Sequence, residues 1–127
     1  MDVDHIDVHI RSIHRVLKKG GKAVITVLHP LFSLALGHGP LFDNQSTMLK
    51  SYFQNHIVKL HLPGMSQKIS VNHHWMSHYA QEFYTANLRL VNVAEPHLSE
   101  EEIQRLGLSE NIGREPVSMI FWVEKES

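Results

Sequence analysis

The most constraining feature of the sequence is a double glycine, Gly20-Gly21, set between a helical periodicity and an apolar run. Upstream, Val3, Ile6, Ile10, Ile13 and Leu17 recur at spacings of three and four, which lays them on one face of a helix over residues 3–18. Asp2 and Asp4 stand at its N-terminus and Arg11, Lys18 and Lys19 toward its C-terminus, in the sense the helix dipole favours. The glycines stop it, because glycine accepts the left-handed C-cap conformation at little cost. Downstream, Lys22–Leu28 (KAVITVL) is almost continuously apolar, which predicts a strand buried on both faces inside a covered sheet. Helix, tight glycine turn and buried strand together form an α/β signature.

The segment that follows is less regular. Pro30, Gly37, Gly39 and Pro40 predict a loop, residues 47–54 a short helix, and residues 56–62 and 67–74 a hairpin around Pro63-Gly64. A connection this long inside one domain suits an insertion or lid, here residues 33–74. Met76, Tyr79, Ala80 and Phe83 return to helical spacing, with Asn87 as a left-handed cap. Leu88–Ala94 reads as a strand. Ser99 and Glu102 make a capping box for a short helix ending at Gly107, and residues 117–123 read as the last strand.

Composition narrows the functional classes. The 127 residues fit one domain, 1–127, and 43% of them are hydrophobic. A formal net charge of −1 offers no electrostatic case for nucleic acid or an anionic membrane. There is no cysteine, which removes disulfides, thiolate nucleophiles and zinc–cysteine sites and permits a reducing compartment. No basic n-region and apolar h-region follow Met1, and no apolar piece reaches the about 20 residues that cross a bilayer. A cytoplasmic location is the expectation.

Several short segments, in order along the chain, resemble class I S-adenosylmethionine-dependent methyltransferases of the type 11-like, small-molecule-acceptor subgroup. Ile13-His14-Arg15-Val16-Leu17-Lys18-Lys19-Gly20-Gly21 resembles the turn from the family's fourth helix into its fifth strand, with Lys19 where the family usually has Pro. Met1-Asp2-Val3 resembles the segment after the fourth strand, and His29-Pro30-Leu31-Phe32 the close of the fifth. His73-His74 resembles a step ahead of the next helix, with His74 in place of Arg. Glu95-Pro96 resembles the segment after the sixth strand and Arg114-Glu115-Pro116 the one before the seventh.

The resemblance implies an α/β fold: the C-terminal half of a Rossmann-like methyltransferase domain. A mixed three-stranded sheet in the family's 5-7-6 order is expected, with residues 117–123 in the middle, flanking helices and a hairpin-and-loop insertion. It also implies a transferase that moves a methyl group to a small-molecule acceptor. The family's glycine-rich loop and ribose-binding acid would lie upstream of Met1. Gly37-x-Gly39 lacks the strand–glycines–helix context of such a loop. The complete protein is expected to use S-adenosylmethionine, this chain alone to bind none, and Met1 and Asp2 to touch only the cofactor's rim. A bare strand at Lys22–Leu28 invites association, so a homo-oligomer or a complementary N-terminal half is the expected partner. The alternative is a non-catalytic oligomerisation or binding module derived from this fold.

Four residues are candidates for the acceptor side. His29 ends a strand where open α/β sheets bind ligands, and an imidazole there can act as base or hydrogen-bond a substrate. The competing reading is a turn residue bonded to backbone. His73, His74 and Trp75 precede a helix on that side, where Trp75 can equally anchor the insertion to the core. Tyr52, Phe53, Tyr79, Phe83, Phe121 and Trp122 read as core. Glu100-Glu101-Glu102 reads as a solvated first turn. The pairs His5/His9 and His74/His78 have chelating i, i+4 spacing but no third ligand, so no metal is expected. No G-x-S-x-G elbow supports a hydrolase, and no catalytic base can be assigned.

Overall fold

The structure is a computed structural model; it describes residues 5–31, 52–53, 56–60, 66–67, 69–107, 116 and 118–126. The first helix, α1, spans Ile6–Val16 and buries Ile6 and Ile10, with Ile13 and Leu17 packed at the edge of the core. Asp2, Val3 and Asp4 lie outside the described residues. On the outer face Asp7 and Arg11 form an exposed i, i+4 pair at 2.9 Å, which solvent screening leaves as a weak support for the helix.

The helix ends as its glycines demand. Gly20 has φ +75°, and the Gly21 N–H donates to the Lys18 carbonyl at 2.8 Å. A second device was invisible in the sequence. Lys125 donates from Nζ to the His14 and Leu17 carbonyls at 2.9 and 3.0 Å, so an ammonium satisfies the helix's last acceptors. Lys125 also exchanges backbone hydrogen bonds with the turn: its N–H donates to Gly21 at 2.9 Å, and its carbonyl accepts from Gly20 at 2.7 Å.

Three strands form the main sheet: β1 (Lys22–Leu28), β4 (Leu88–Ala94) and β5 (Ser118–Lys125), in the order β1-β5-β4. The last strand of the chain is in the middle, as expected. Ile25 pairs with Phe121, and Phe121 with Val93. Both pairings are antiparallel, so β1 and β4 run in the same direction around a reversed β5. Residue 117 lies outside the described residues, and β5 continues to Lys125, where its backbone closes on the glycine turn.

One face of this sheet is the core. Val27, Met119, Phe121, Val123 and Leu88 pack with Ile6 and Ile10 of α1 and with Tyr79, Phe83 and Ala86. Tyr79 and Phe83 belong to α2, Met76–Thr85, and both rings meet Phe121, at centroid distances of 5.4 and 5.1 Å. Fully buried rings of this size contribute about 1.5–3 kcal/mol each. Asn87, at φ 58°, makes the left-handed turn from α2 into β4.

The expectation that Lys22–Leu28 is buried on both faces is corrected. Ala23, Ile25 and Val27 point inward, whereas Lys22, Val24 and Thr26 are exposed, Val24 by 60%. The cause is geometric. Both α1 and α2 pack on one face, and among the described residues β1 has a strand on one side only. An apolar run cannot report this, because an exposed valine reads the same as a buried one. Trp122 likewise is half-buried on the outer face, since alternation along β5 sends Phe121 and Val123 inward and Trp122 outward.

Two smaller elements complete the description. β2 (His56–Leu60) and β3 (Ile69–His73) form the expected antiparallel hairpin, with His56 opposite His73 and Leu60 opposite Ile69; Pro63-Gly64 lies outside the described residues. Most of the helix expected over 47–54 also lies outside them, and Tyr52 and Phe53 are in a turn. The third helix, α3 (Glu100–Leu106), carries the expected capping box. The Ser99 hydroxyl accepts from the Glu102 N–H at 3.2 Å, and the Glu102 carboxylate accepts from the Ser99 N–H at 2.9 Å. Gly107 ends it at φ 65°. Among the described residues no helix is long and apolar enough to cross a membrane.

Candidate functional site

Because β1 and β4 run in the same direction, their C-terminal ends emerge at one end of the sheet, on either side of the start of β5. The residue after β1 is His29 and the residue after β4 is Glu95. His29 is 3% exposed and followed by buried Pro30. Its Nδ1 accepts from the Leu31 N–H at 3.1 Å, which leaves the ring proton on Nε2. Nε2–H donates to Glu95 Oε1 at 2.8 Å. Both ring nitrogens are thus committed, and the imidazole holds a carboxylate in place. The Glu95 side chain, at that end of the sheet, is 49% exposed.

His73, His74 and Trp75 are brought together at the step from β3 into α2. His73 is 1% exposed and donates from Nε2 to the Tyr52 carbonyl at 2.8 Å. Burial disfavours its charged form and lowers its pKa from the usual histidine value, against a smaller opposing effect of that carbonyl. His74 is buried, with its ring edge-on to His78 and Tyr79 at 5.1 and 5.8 Å. Trp75 is half-buried and stacks on His78 at 4.7 Å. Tyr52 accepts the Met76 N–H on its hydroxyl at 3.1 Å, so the turn at 52–53 is tied to the start of α2.

Phe53 departs from the core role expected of it. It is 66% exposed and meets Tyr52 and Trp75 edge-on at 4.9 and 6.3 Å. Tyr52 is half-buried. Rings therefore run from exposed Phe53 through Trp75, His78 and His74 to buried Tyr79, and Trp75 joins the turn to α2, not to the sheet core. Burial pushes the Tyr79 hydroxyl up to about 12, so it is a neutral phenol at ordinary pH.

Met1 and Asp2 lie outside the described residues. Among the described residues no group of three or more His, Asp or Glu is placed to hold a metal ion. Nor do the described glycines fit a cofactor cradle. Gly20 and Gly107 take positive φ at helix C-termini, and Gly21 leads into a strand, the reverse of a strand–glycines–helix loop. Sequence reasoning assigned no role to Glu95. The signal was available: the expected strand order puts the ends of Lys22–Leu28 and Leu88–Ala94 on one end of the sheet, with a histidine after one and a glutamate after the other.

No family model and no curated protein matches the sequence. Solved structures do match in fold. One, described as an S-adenosylmethionine dependent methyltransferase from Listeria monocytogenes, has a TM-score of 0.72 at 19% identity, covering 95% of this chain and 55% of its own. Another, an S-adenosylmethionine dependent methyltransferase from Mesorhizobium loti, has a TM-score of 0.69 at 17% identity, covering 96% and 56%. At such identities the likeness shows the fold: an α/β methyltransferase fold, of which this chain spans just over half the length of either structure.

Proposed function

We propose that the chain is the C-terminal portion of an S-adenosylmethionine-dependent methyltransferase, supplying the acceptor side for a small molecule and unable to bind the cofactor alone. The observation that carries this reading is the coverage: 95% of the chain superposes on a methyltransferase of which it spans 55%. The β1-β5-β4 order with its reversed central strand supports the C-terminal assignment, as do the sequence resemblances in register with it. In the complete protein the cofactor supplies the methyl group. The residues here hold and orient the acceptor and exclude water, which needs no covalent enzyme intermediate.

On this reading His29, His73, His74 and Trp75 belong to the acceptor side, and Met1 and Asp2 to the cofactor's rim. A cytoplasmic protein with no nucleic-acid or membrane partner is the accompanying proposal. The experiment is radiolabel transfer from methyl-labelled S-adenosylmethionine by the protein with any in-frame coding sequence upstream of Met1 restored, against a small-molecule panel. Label in a small molecule is expected; label only in protein or nucleic acid contradicts the acceptor class.

A second reading is a non-catalytic oligomerisation or binding module. The outward face of β1, with Val24 60% exposed, favours it, since such an edge invites a second copy or a complementary half. Light scattering separates the readings. A defined oligomer with no cofactor binding, even with upstream sequence restored, favours the module.

A further inference from the structure

We infer that Glu95, oriented by His29, is the polar anchor of the acceptor site, and that it takes a small molecule bearing a basic amine. This rests on the reading of that end of the sheet as the acceptor side. Three observations converge on it. His29 is 3% exposed with both ring nitrogens committed, so it is a positioning residue and offers no free atom to a ligand. The Nε2–H it donates fixes Glu95 Oε1, while half of the glutamate side chain stays open. The pair stands just beyond the carboxyl ends of β1 and β4, the place where open α/β sheets receive ligands.

The chemistry of the anchor selects the ligand. An ionised carboxylate only accepts hydrogen bonds, attracts an ammonium and repels another carboxylate. On the three strands of the main sheet no lysine or arginine lies at that end to offset it. Lys22, Arg89 and Lys125 are all at the opposite end, by the pairings Lys22 to Glu124, Arg89 to Glu124 and Leu88 to Lys125. There Arg89 is held by Glu124 and Glu126 at 2.9 and 2.8 Å. A purely mechanical tie between β1 and β4 would be redundant, since both are laddered to β5 along their length.

The test uses the 127-residue chain with nitrogen-labelled histidine and three probes of one shape: benzylamine, benzyl alcohol and benzoate. Benzylamine is expected to shift the His29 ring nitrogens in a saturable manner, at least tenfold more tightly than the other two. Glu95→Gln keeps an oxygen to accept from His29 Nε2–H but removes the charge. It should leave the amide spectrum of β1 and β4 in place and abolish the preference for the amine. Equal response to all three probes, no response to any, or an amine preference that survives Glu95→Gln overturns the inference. Cofactor binding by the complete protein is read separately. Its absence beside a clear amine preference sinks the methyltransferase reading and leaves the amine site standing.

Discussion

His29 Nε2 lies 2.8 Å from Glu95 Oε1, although 66 positions separate them, and the contact joins the ends of two strands that never pair with each other. Its energetic weight is uneven. Glu95 is half exposed, so losing its charge while keeping the oxygen should cost little, whereas emptying the His29 site leaves a cavity and an unpartnered Leu31 N–H. By urea denaturation, Glu95→Gln is expected within about 0.5 kcal/mol of wild type and His29→Ala about 2 kcal/mol less stable. Equal losses would mean that the carboxylate's charge is part of the fold's stability.

The two glycines after α1 are needed for different reasons. Gly20 has φ +75° with nothing near a substituent, so Gly20→Ala meets only backbone strain, about 1 kcal/mol. At Gly21 an added Cβ would stand 2.7 Å from the Lys18 carbonyl oxygen, a backbone atom, and 3.3 Å from its nitrogen. Gly21→Ala must therefore open the turn that Lys125 closes. It is expected to cost more, about 2–3 kcal/mol, in the same denaturation experiment. The reverse ranking would contradict the turn geometry.

Stability should fall in mild acid through His73. Its folded pKa is lowered from 6.5, by burial first, with the hydrogen bond to the Tyr52 carbonyl opposing. Above pH 6.5 both folded and unfolded His73 are neutral, and the shift contributes no pH dependence. Below it the unfolded chain takes up a proton that the buried ring resists, so stability drops from 6.5 downward until the lowered folded pKa is reached. The slope from this one group approaches at most about 1.4 kcal/mol per pH unit. His73→Gln, which keeps a donor for the Tyr52 carbonyl, should flatten that part of a stability–pH profile relative to wild type. An unchanged profile would show that the folded ring takes up its proton as readily as the unfolded one, so that burial does not resist the charge.

Val24 should govern association and not stability. At 60% exposure on the outer face of β1, Val24→Lys is expected within about 0.5 kcal/mol of wild type. The same change puts charge on an open strand face and should lower the apparent mass in light scattering at high concentration. A wild-type monomer at every concentration would remove the basis for association through this strand.

Much of the fold was legible because its punctuation is local. Ser99 with Glu102, Gly107, Asn87 and Gly20 each act within a few residues, and each took its expected role. Strand order was legible through the family resemblance. What the sequence hid depends on distant partners. The exposure of Val24 is set by which face α1 and α2 cover, and the outward turn of Trp122 by the register of β5. The Lys125 ammonium at the end of α1 spans 108 to 111 positions. The candidate site was half visible for the same reason: His29 stood out alone, while Glu95 acquires a role only when β1 and β4 are seen to end together.

The proposed function has these residues serve the acceptor side of a methyltransferase without binding the cofactor by themselves. Calorimetric titration of S-adenosylhomocysteine into the chain alone, and into the protein with any in-frame coding sequence upstream of Met1 restored, tests it most directly. No binding by the chain and saturable binding by the restored protein is the predicted result. Saturable binding by the chain alone, or none by the folded restored protein, would contradict it.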